Sequence, residues 1–114
     1  MFTEDGERII AVGEGQSKAT AIMVSTGNQV GDILGALDSL YSCIVTPRPF
    51  HAVTGGLSKE ILLNPGVPFK GQGTNITHGH SNGVNSIRLS PDNTRFVTAG
   101  MDKQIGVFDA KTFE

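Results

Sequence analysis

Three histidines and one cysteine are the side chains of this 114-residue chain best suited to bind a transition metal. His78 and His80 flank Gly79, and the remaining candidates are His51 and Cys43. A structural zinc site takes four such ligands in closely spaced pairs, whereas Cys43 lies in an apolar run typical of a strand. The pattern favours a structural His80 with a solvated His78 over a metal site, so we expect no metal or other cofactor.

A glycine-containing loop could hold a phosphate group. It follows an apolar run and reads Gly13-Glu14-Gly15-Gln16-Ser17-Lys18. The loop lacks the third glycine of a dinucleotide-binding fingerprint and the spacing of a Walker motif, and no helical pattern follows it. A loop between two strands therefore explains these residues better than a nucleotide site does.

Carboxylates near the N-terminus offer a third kind of chemistry. Glu4, Asp5 and Glu7 resemble an acid–base group, but a charged turn of this kind is usually only solvated. Nowhere does the sequence bring a nucleophile, a base and an orienting group together. We therefore expect a protein that is not an enzyme.

Charge and hydropathy exclude two classes of partner. The nine Lys and Arg residues are scattered and the net charge is -2, so there is no basic stripe for nucleic acid. No apolar run approaches the length of a membrane span, and the acidic N-terminus lacks the features of a signal peptide. The single Cys43 reads as a buried, reduced thiol. We expect a soluble, cytoplasmic protein with no nucleic-acid or membrane partner.

Short β-rich runs must position these side chains. Turn-forming Gly, Pro, Asn and Asp residues break the runs about every eight to twelve residues, with no competing helical period, which indicates an all-β fold. The predicted strands cover residues 8–12, 19–24, 29–34, 40–45, 51–54, 60–63, 84–89, 95–99 and 104–108. The glycine-rich stretch 65–83 is the least regular, and we expect loop there with one weak strand.

Three stretches of the chain repeat one another. Asp5–Gly13 aligns with Asp92–Gly100 through a turn, an Arg, an apolar run and a Gly, and Pro49–Gly55 fits the same frame. The closing glycines are 42 and 45 residues apart. A period of about 40 to 45 residues with four short strands is typical of a β-propeller.

The last unit resembles a WD40 repeat. It opens with Gly79-His80, turns at Ser90-Pro91-Asp92 and closes with Phe108-Asp109, where the family has Trp-Asp. The resemblance implies a hydrogen-bonded relay in which a loop His, a strand Thr, a turn Asp and an indole satisfy one another. His80, Thr98 and Asp102 take the first three places, and Phe108 fills the fourth without an N–H to donate. We therefore expect a shortened relay.

Motifs over almost the whole chain narrow the resemblance to one family. They occur in family order as Ala11-Val12-Gly13-Glu14-Gly15 with Lys18, Val30-Gly31-Asp32, Thr46-Pro47-Arg48-Pro49-Phe50, Val67-Pro68-Phe69-Lys70, His80-Ser81 with Val84-Asn85, and Ser90-Pro91-Asp92. The chain resembles the actin-interacting protein 1 family of WD-repeat proteins. This resemblance implies two seven-bladed propellers joined side by side, which cooperate with cofilin to disassemble actin filaments without a covalent step. Actin and cofilin are the implied partners, and the cytoskeleton is the implied location.

Several positions depart from the family pattern. Acidic residues of the relatives are replaced by Ser17 and by Leu57-Ser58, and two exposed aromatic residues by Gly71 and Gly83. The Gly-His place of the second unit is degraded to Gly35-Ala36. The candidate partner-facing residues are Glu14, Lys18, Leu57, Ser58, Phe69 and Lys70. The losses leave an alternative open, a generic WD40 scaffold that binds another protein and has no actin activity.

The units predict an incomplete array of antiparallel four-stranded blades. We expect residues 1–34 to form an incomplete WD40 blade, 35–78 a degenerate blade, and 79–114 a blade without its outer strand. A propeller needs roughly four to eight blades to close, so this chain cannot close alone and we expect it to be a fragment. Open blade edges expose unpaired backbone groups. We therefore expect self-association through these edges.

Overall fold

The computed structural model describes residues 1–13, 18–34, 39–47, 50–57, 60–66, 71–72, 74–76 and 80–113, and for 71–72 the backbone only. All regular elements in these ranges are β-strands, which confirms the all-β prediction. None of these residues forms a helix that could cross a membrane. The strands are β1 (Arg8–Ala11), β2 (Ala19–Met23), β3 (Gln29–Leu34), β4 (Leu40–Thr46), β5 (His51–Gly56), β6 (Ile61–Pro65), β7 (Gly71–Gln72), β8 (Thr74–Ile76), β9 (Val84–Leu89), β10 (Arg95–Gly100) and β11 (Ile105–Asp109).

The strands form three sheets, and none of these sheets closes on itself within the described ranges. Sheet 1 has the order β1-β2-β3-β7, sheet 2 the order β4-β5-β6-β8, and sheet 3 the order β9-β10-β11. Neighbouring strands are antiparallel except β3 and β7, which pair in parallel. The three ranges predicted as blades stay a prediction.

All nine predicted strands are present, with ends that differ by at most two residues. The irregular stretch 65–83 differs, because its described residues hold two short strands, β7 and β8, rather than one. β7 joins sheet 1 and β8 joins sheet 2, so this segment contributes to two sheets. Runs of two and three residues are too short for alternation to show, which is why the pattern did not separate them.

Apolar side chains fill the two spaces between consecutive sheets. One core joins sheets 1 and 2, and its buried members are Ile10, Ala19, Ala21, Ile33, Leu40, Val45 and Ala52. The other joins sheets 2 and 3, and its buried members are Ile44, Val53, Ile61, Ile76, Val84, Ile87, Phe96, Phe108 and Ala110. Successive residues of a strand point to opposite faces, so sheet 2 contributes one face to each core.

Polar contacts and small residues accompany both cores. Between sheets 1 and 2, Cys43 is half-buried rather than buried as predicted, and its thiol lies 3.3 Å from the Ile10 carbonyl oxygen. Between sheets 2 and 3, the Ser42 hydroxyl accepts a hydrogen bond from Ile87 N–H at 2.9 Å. A Cβ at Gly55 would lie 2.9 Å from Val84 Cγ1, so the absence of a side chain there permits close packing.

The sequence repeat is visible as a repeated turn. Thr3 and Ser90 each donate a side-chain hydrogen bond to an Asp two residues later, at 2.5 Å and 2.7 Å. The residue after each Asp, Gly6 or Asn93, has a positive φ of 71° or 63°. Asn93 also donates to Glu4 at 3.1 Å, which joins the two turns at one end of the molecule. We call this end the turn edge.

Candidate interaction site

Three polar side chains meet at the opposite ends of the strands, which we call the relay edge. His80 precedes β9, Thr98 lies within β10, and Asp102 lies in the turn after β10. His80 Nδ1 is 3.0 Å and 3.2 Å from the two carboxylate oxygens of Asp102. His80 Nε2 is 2.7 Å from Thr98 Oγ1. The structure thus brings together the first three residues of the proposed relay.

Asp102 is the most connected residue of the relay. Its carboxylate accepts hydrogen bonds from Ser81 N–H at 2.9 Å and from Gln104 N–H at 3.0 Å. Burial raises the pKa of Asp102, but the hydrogen bonds from His80, Ser81 and Gln104 outweigh burial and lower it from 3.8 to about 2. Asp102 is therefore ionised at neutral pH and ties the loop before β9 to the turn after β10.

The relay leaves no lone pair of His80 directed at solvent. Asp102 being ionised, the Nδ1–H group of His80 donates to it, while Nε2 contacts the hydroxyl of Thr98. His51 instead packs its ring against Phe113 at a centroid distance of 5.2 Å. The described residues contain no cluster of three metal-ligating side chains. The arrangement can organise loops, and it does not resemble a metal centre.

Two glycines let the relay lie against the backbone. A Cβ at Gly100 would overlap both His80 Nδ1 and Asp102 Oδ1. A Cβ at Gly106 would be 2.6 Å from Thr98 Oγ1 and 2.8 Å from an edge carbon of Phe108. Neither glycine was among the predicted site residues, although a glycine inside a strand often marks such a close approach.

Phe108 takes the fourth place of the proposed relay without a polar contact. Its ring stacks on Phe96 with a centroid distance of 5.0 Å and an angle of 8° between the planes. Both rings are buried in the core between sheets 2 and 3. Phe108 therefore fills volume beside the relay, and its role in the relay stays a prediction.

Sheet 2 contains a threonine at the position of Thr98. Thr54 lies 44 residues earlier and is fully buried. Strand pairing sets this equivalence, because Thr54 pairs with Leu62 as Thr98 pairs with Gly106, and it shifts the glycine alignment of the sequence repeat by one residue. Its hydroxyl has no hydrogen-bond partner within the described ranges. The corresponding His and Asp places fall on Ala36 and Ser58, which lie outside the described residues. Sheet 2 thus keeps the hydroxyl, while its sequence lacks both residues that would bind it.

Of the six candidate partner-facing residues, Lys18 and Leu57 are described. Both lie at the relay edge, Lys18 directly before β2 and Leu57 directly after β5. Lys18 Nζ is 3.7 Å from an Asp32 carboxylate oxygen, and about half of its side chain stays exposed. The other four candidates, Glu14, Ser58, Phe69 and Lys70, lie outside the described residues.

Met101 is an exposed apolar residue at this edge that the sequence pattern did not indicate. It lies 44 residues after Leu57. Leu57 N–H donates to Ser39 O at 3.0 Å, and Met101 N–H donates to Gly83 O at 2.7 Å. A Cβ at Gly83 would lie 3.1 Å from Met101 Sδ and 3.3 Å from Leu57 Cα. Leu57 and Met101 thus flank Gly83 and form one apolar patch, which we call the rim patch.

Comparison with known proteins gives a match to one repeat family and several proteins that are similar along almost the whole of this chain. Residues 71–109 match the family described as WD domain, G-beta repeat. The chain is 41% identical to WD repeat-containing protein 1 of Bos taurus over 99% of its own length. It is 37% identical to Actin-interacting protein 1-2 of Arabidopsis thaliana and to Actin-interacting protein 1 of Drosophila melanogaster, over 100% and 99% of its length. The chain spans 19% of the length of each of these relatives.

Proposed function

Because this chain is a WD40-repeat chain of the actin-interacting protein 1 family, we propose that it binds actin and promotes cofilin-dependent disassembly of actin filaments. The observation that carries the proposal is the similarity along the entire chain to proteins named for their interaction with actin. Action through protein–protein contacts requires no covalent step and no cofactor. The corresponding place in the cell is the cytoplasm, at the cytoskeleton.

We place the contact surface at the relay edge. The rim patch offers apolar area, and Lys18 adds a cationic group with an exposed side chain. The relay fixes the loops on both sides of the patch through the hydrogen bonds of Asp102. A fixed loop loses less conformational entropy when a partner binds. Glu14, Ser58, Phe69 and Lys70 stay candidate partner-facing residues that lie outside the described part of the chain.

A generic WD40 scaffold for another protein partner remains the second candidate. Gly83 lacks the aromatic side chain that the family resemblance implies there, and Leu57 replaces an acidic residue. Interface energy is concentrated in a few side chains, with aromatic residues prominent among them. Loss of such a residue favours a change of partner, in which case the rim patch would bind a different apolar surface.

Co-sedimentation with actin filaments tests the actin proposal. The wild-type chain should pellet with cofilin-decorated filaments and increase the actin left in the supernatant. Leu57→Glu combined with Met101→Glu places two charges on the rim patch and should weaken binding by about tenfold. The matched control, Leu57→Met with Met101→Leu, keeps the patch apolar and should bind like the wild type.

The two candidate functions give different results in this assay. A wild-type chain that neither binds decorated filaments nor releases actin contradicts the actin proposal and leaves the scaffold as the remaining candidate. Wild-type binding that the glutamate pair does not weaken contradicts the placement of the contact surface. Circular dichroism of each variant shows whether the all-β fold is retained, so that a folding defect is not mistaken for lost binding.

Self-association is also part of the proposal. Within the described strands, β11 pairs with β10 alone, so its outer backbone edge is open. An open edge offers unpaired N–H and C=O groups to another strand. Such an edge is one route by which copies of this chain would associate.

A further inference from the structure

Sheet 3 exposes a strip of large apolar side chains on one face. Val97, Ile105 and Val107 are 41%, 74% and 62% exposed. Val97 is the direct cross-strand partner of Val107, and alternation places all three on the side opposite Phe96 and Phe108. The core between sheets 2 and 3 lies on that opposite side. We call the exposed strip the head face.

The same repeat positions are buried in the other two sheets. Val53 and Ile61 in sheet 2 lie 44 residues before Val97 and Ile105, and both are fully buried against sheet 3. In sheet 1, Ile10 takes the place of Val53 and is fully buried against sheet 2. Strand register supports these equivalences. Val53 pairs with Leu63 and Val97 with Val107, both ten residues later, and Ile10 pairs with Ala21 in the same strand order. The head face is thus a packing position of the repeat.

Sheet 1 exposes apolar side chains on its opposite side. Phe2 and Val24 are 57% and 45% exposed. Phe2 bridges to the half-buried Ile9, which pairs with the half-buried Ile22, and Val24 lies two residues after Ile22 in the chain. We call these four residues the tail face. Their counterparts in sheet 3 belong to the core with sheet 2, as Ile9 pairs with Ile22 where Phe96 pairs with Phe108. The tail face is therefore the surface against which a preceding sheet would pack.

We propose that the head face of one copy of this chain packs against the tail face of a second copy. The contact reproduces between two molecules the sheet-to-sheet packing that the chain forms twice within itself. Its two surfaces are different, so the association is heterologous, and such contacts either close into a ring or extend. Two copies contribute six sheets, which is within the number of blades at which propellers close. This inference stands independently of actin binding.

The experiment uses two variants of the full chain in sedimentation velocity runs over a range of concentrations. The head variant carries Ile105→Glu and Val107→Glu, and the tail variant carries Phe2→Glu and Val24→Glu. We expect the wild type to associate and each variant alone to sediment as a monomer of about 12.0 kDa. Mixed one to one, the variants should form a dimer, because one keeps an intact tail face and the other an intact head face.

Three results overturn the proposal. They are a wild-type chain that stays monomeric at high concentration, a mixture of variants that does not associate, and one variant that associates alone as strongly as the wild type. Lys111→Glu, in the exposed turn after β11 and outside both faces and the rim patch, is the control and should associate normally. If circular dichroism shows that a glutamate pair unfolds the chain, threonine at the same two positions replaces it and should raise the dissociation constant by at least about tenfold.

Discussion

At the scale of single residues, Thr98 and Thr54 show what one hydrogen-bond partner contributes. Both are fully buried at the same position of successive sheets. Thr98 is hydrogen bonded to His80 at 2.7 Å, whereas the Thr54 hydroxyl has no partner in the described part of the chain. A buried polar group without a partner costs the free energy of its lost hydration. The same residue type should therefore stabilise one sheet and destabilise the next.

Replacement of each threonine by valine tests this difference. Thr54→Val removes an unsatisfied hydroxyl at nearly constant volume, so the free energy of unfolding should rise by about 1 kcal/mol. Thr98→Val leaves His80 without its partner and should lower the free energy of unfolding by about 1 to 3 kcal/mol. Urea denaturation at one fixed protein concentration measures both values, since association also changes apparent stability.

Each variant is the control for the other, because the chemical change is identical. Equal effects of the two substitutions would contradict the assignment of the relay to sheet 3 alone. A destabilising Thr54→Val would mean that the hydroxyl has a partner and that sheet 2 holds a polar contact of its own.

At the scale of strands and turns, the sequence alone was sufficient to predict the nine longer strands. Alternation and turn residues are local signals, and they located β5 and β10 within two residues of their observed ends. The parallel pairing of β7 with β3 was not predictable, because it joins residues 71–72 to a strand almost 40 residues earlier. No local pattern specifies a pairing of that kind, which depends on how the intervening sheet folds.

The space around Gly106 in β11 is too small for a side chain. Gly106→Ala would place a methyl group against Thr98 and Phe108, neither of which can move freely, since one is bonded to His80 and the other stacks on Phe96. The free energy of unfolding should fall by about 1 to 3 kcal/mol, as is typical of overpacking. Urea denaturation of the variant beside the wild type measures the loss.

Gly13→Ala is the matched control for this change. No described atom lies within 4 Å of a Cβ at Gly13, so alanine there should change stability by less than about 0.5 kcal/mol. A comparable loss in both variants would mean that glycine flexibility, rather than the space beside Thr98, determines the effect.

At the scale of the whole molecule, the candidate site could be predicted only in part. His80, Thr98 and Asp102 carry a motif, and the structure places them in contact. Met101 and Gly106 carry no motif, and their positions beside Gly83 and Thr98 follow from the packing of strands and sheets. A single sequence shows spacing within a repeat more readily than the fit between repeats.

Several carboxylates make the stability of the entire fold depend on pH. Hydrogen bonds from Ser90 and Thr94 lower the pKa of Asp92 from 3.8 to about 2, and the relay lowers that of Asp102 to about 2. A carboxyl whose folded pKa is depressed stabilises the fold above its unfolded pKa, and this stabilisation is lost as pH falls towards the folded value. The urea midpoint should therefore decrease between about pH 4 and pH 2.

Asp92→Asn and Asp102→Asn identify the source of this decrease. Each asparagine variant should be less stable than the wild type near pH 6 and should lose less stability on acidification, so that the curves converge near pH 2. Urea midpoints recorded from pH 6 to pH 2 give the comparison. Parallel curves for the wild type and both variants would contradict the assignment.

The thiol between sheets 1 and 2 has a practical consequence. Burial raises the pKa of Cys43, and its sulfur lies 3.3 Å from the Ile10 carbonyl oxygen. Alkylating reagents attack the thiolate, so Cys43 should react slowly while the two sheets are together. Because it is the chain's sole cysteine, the rate at which the chain is alkylated should measure how often the first sheet separates from the second.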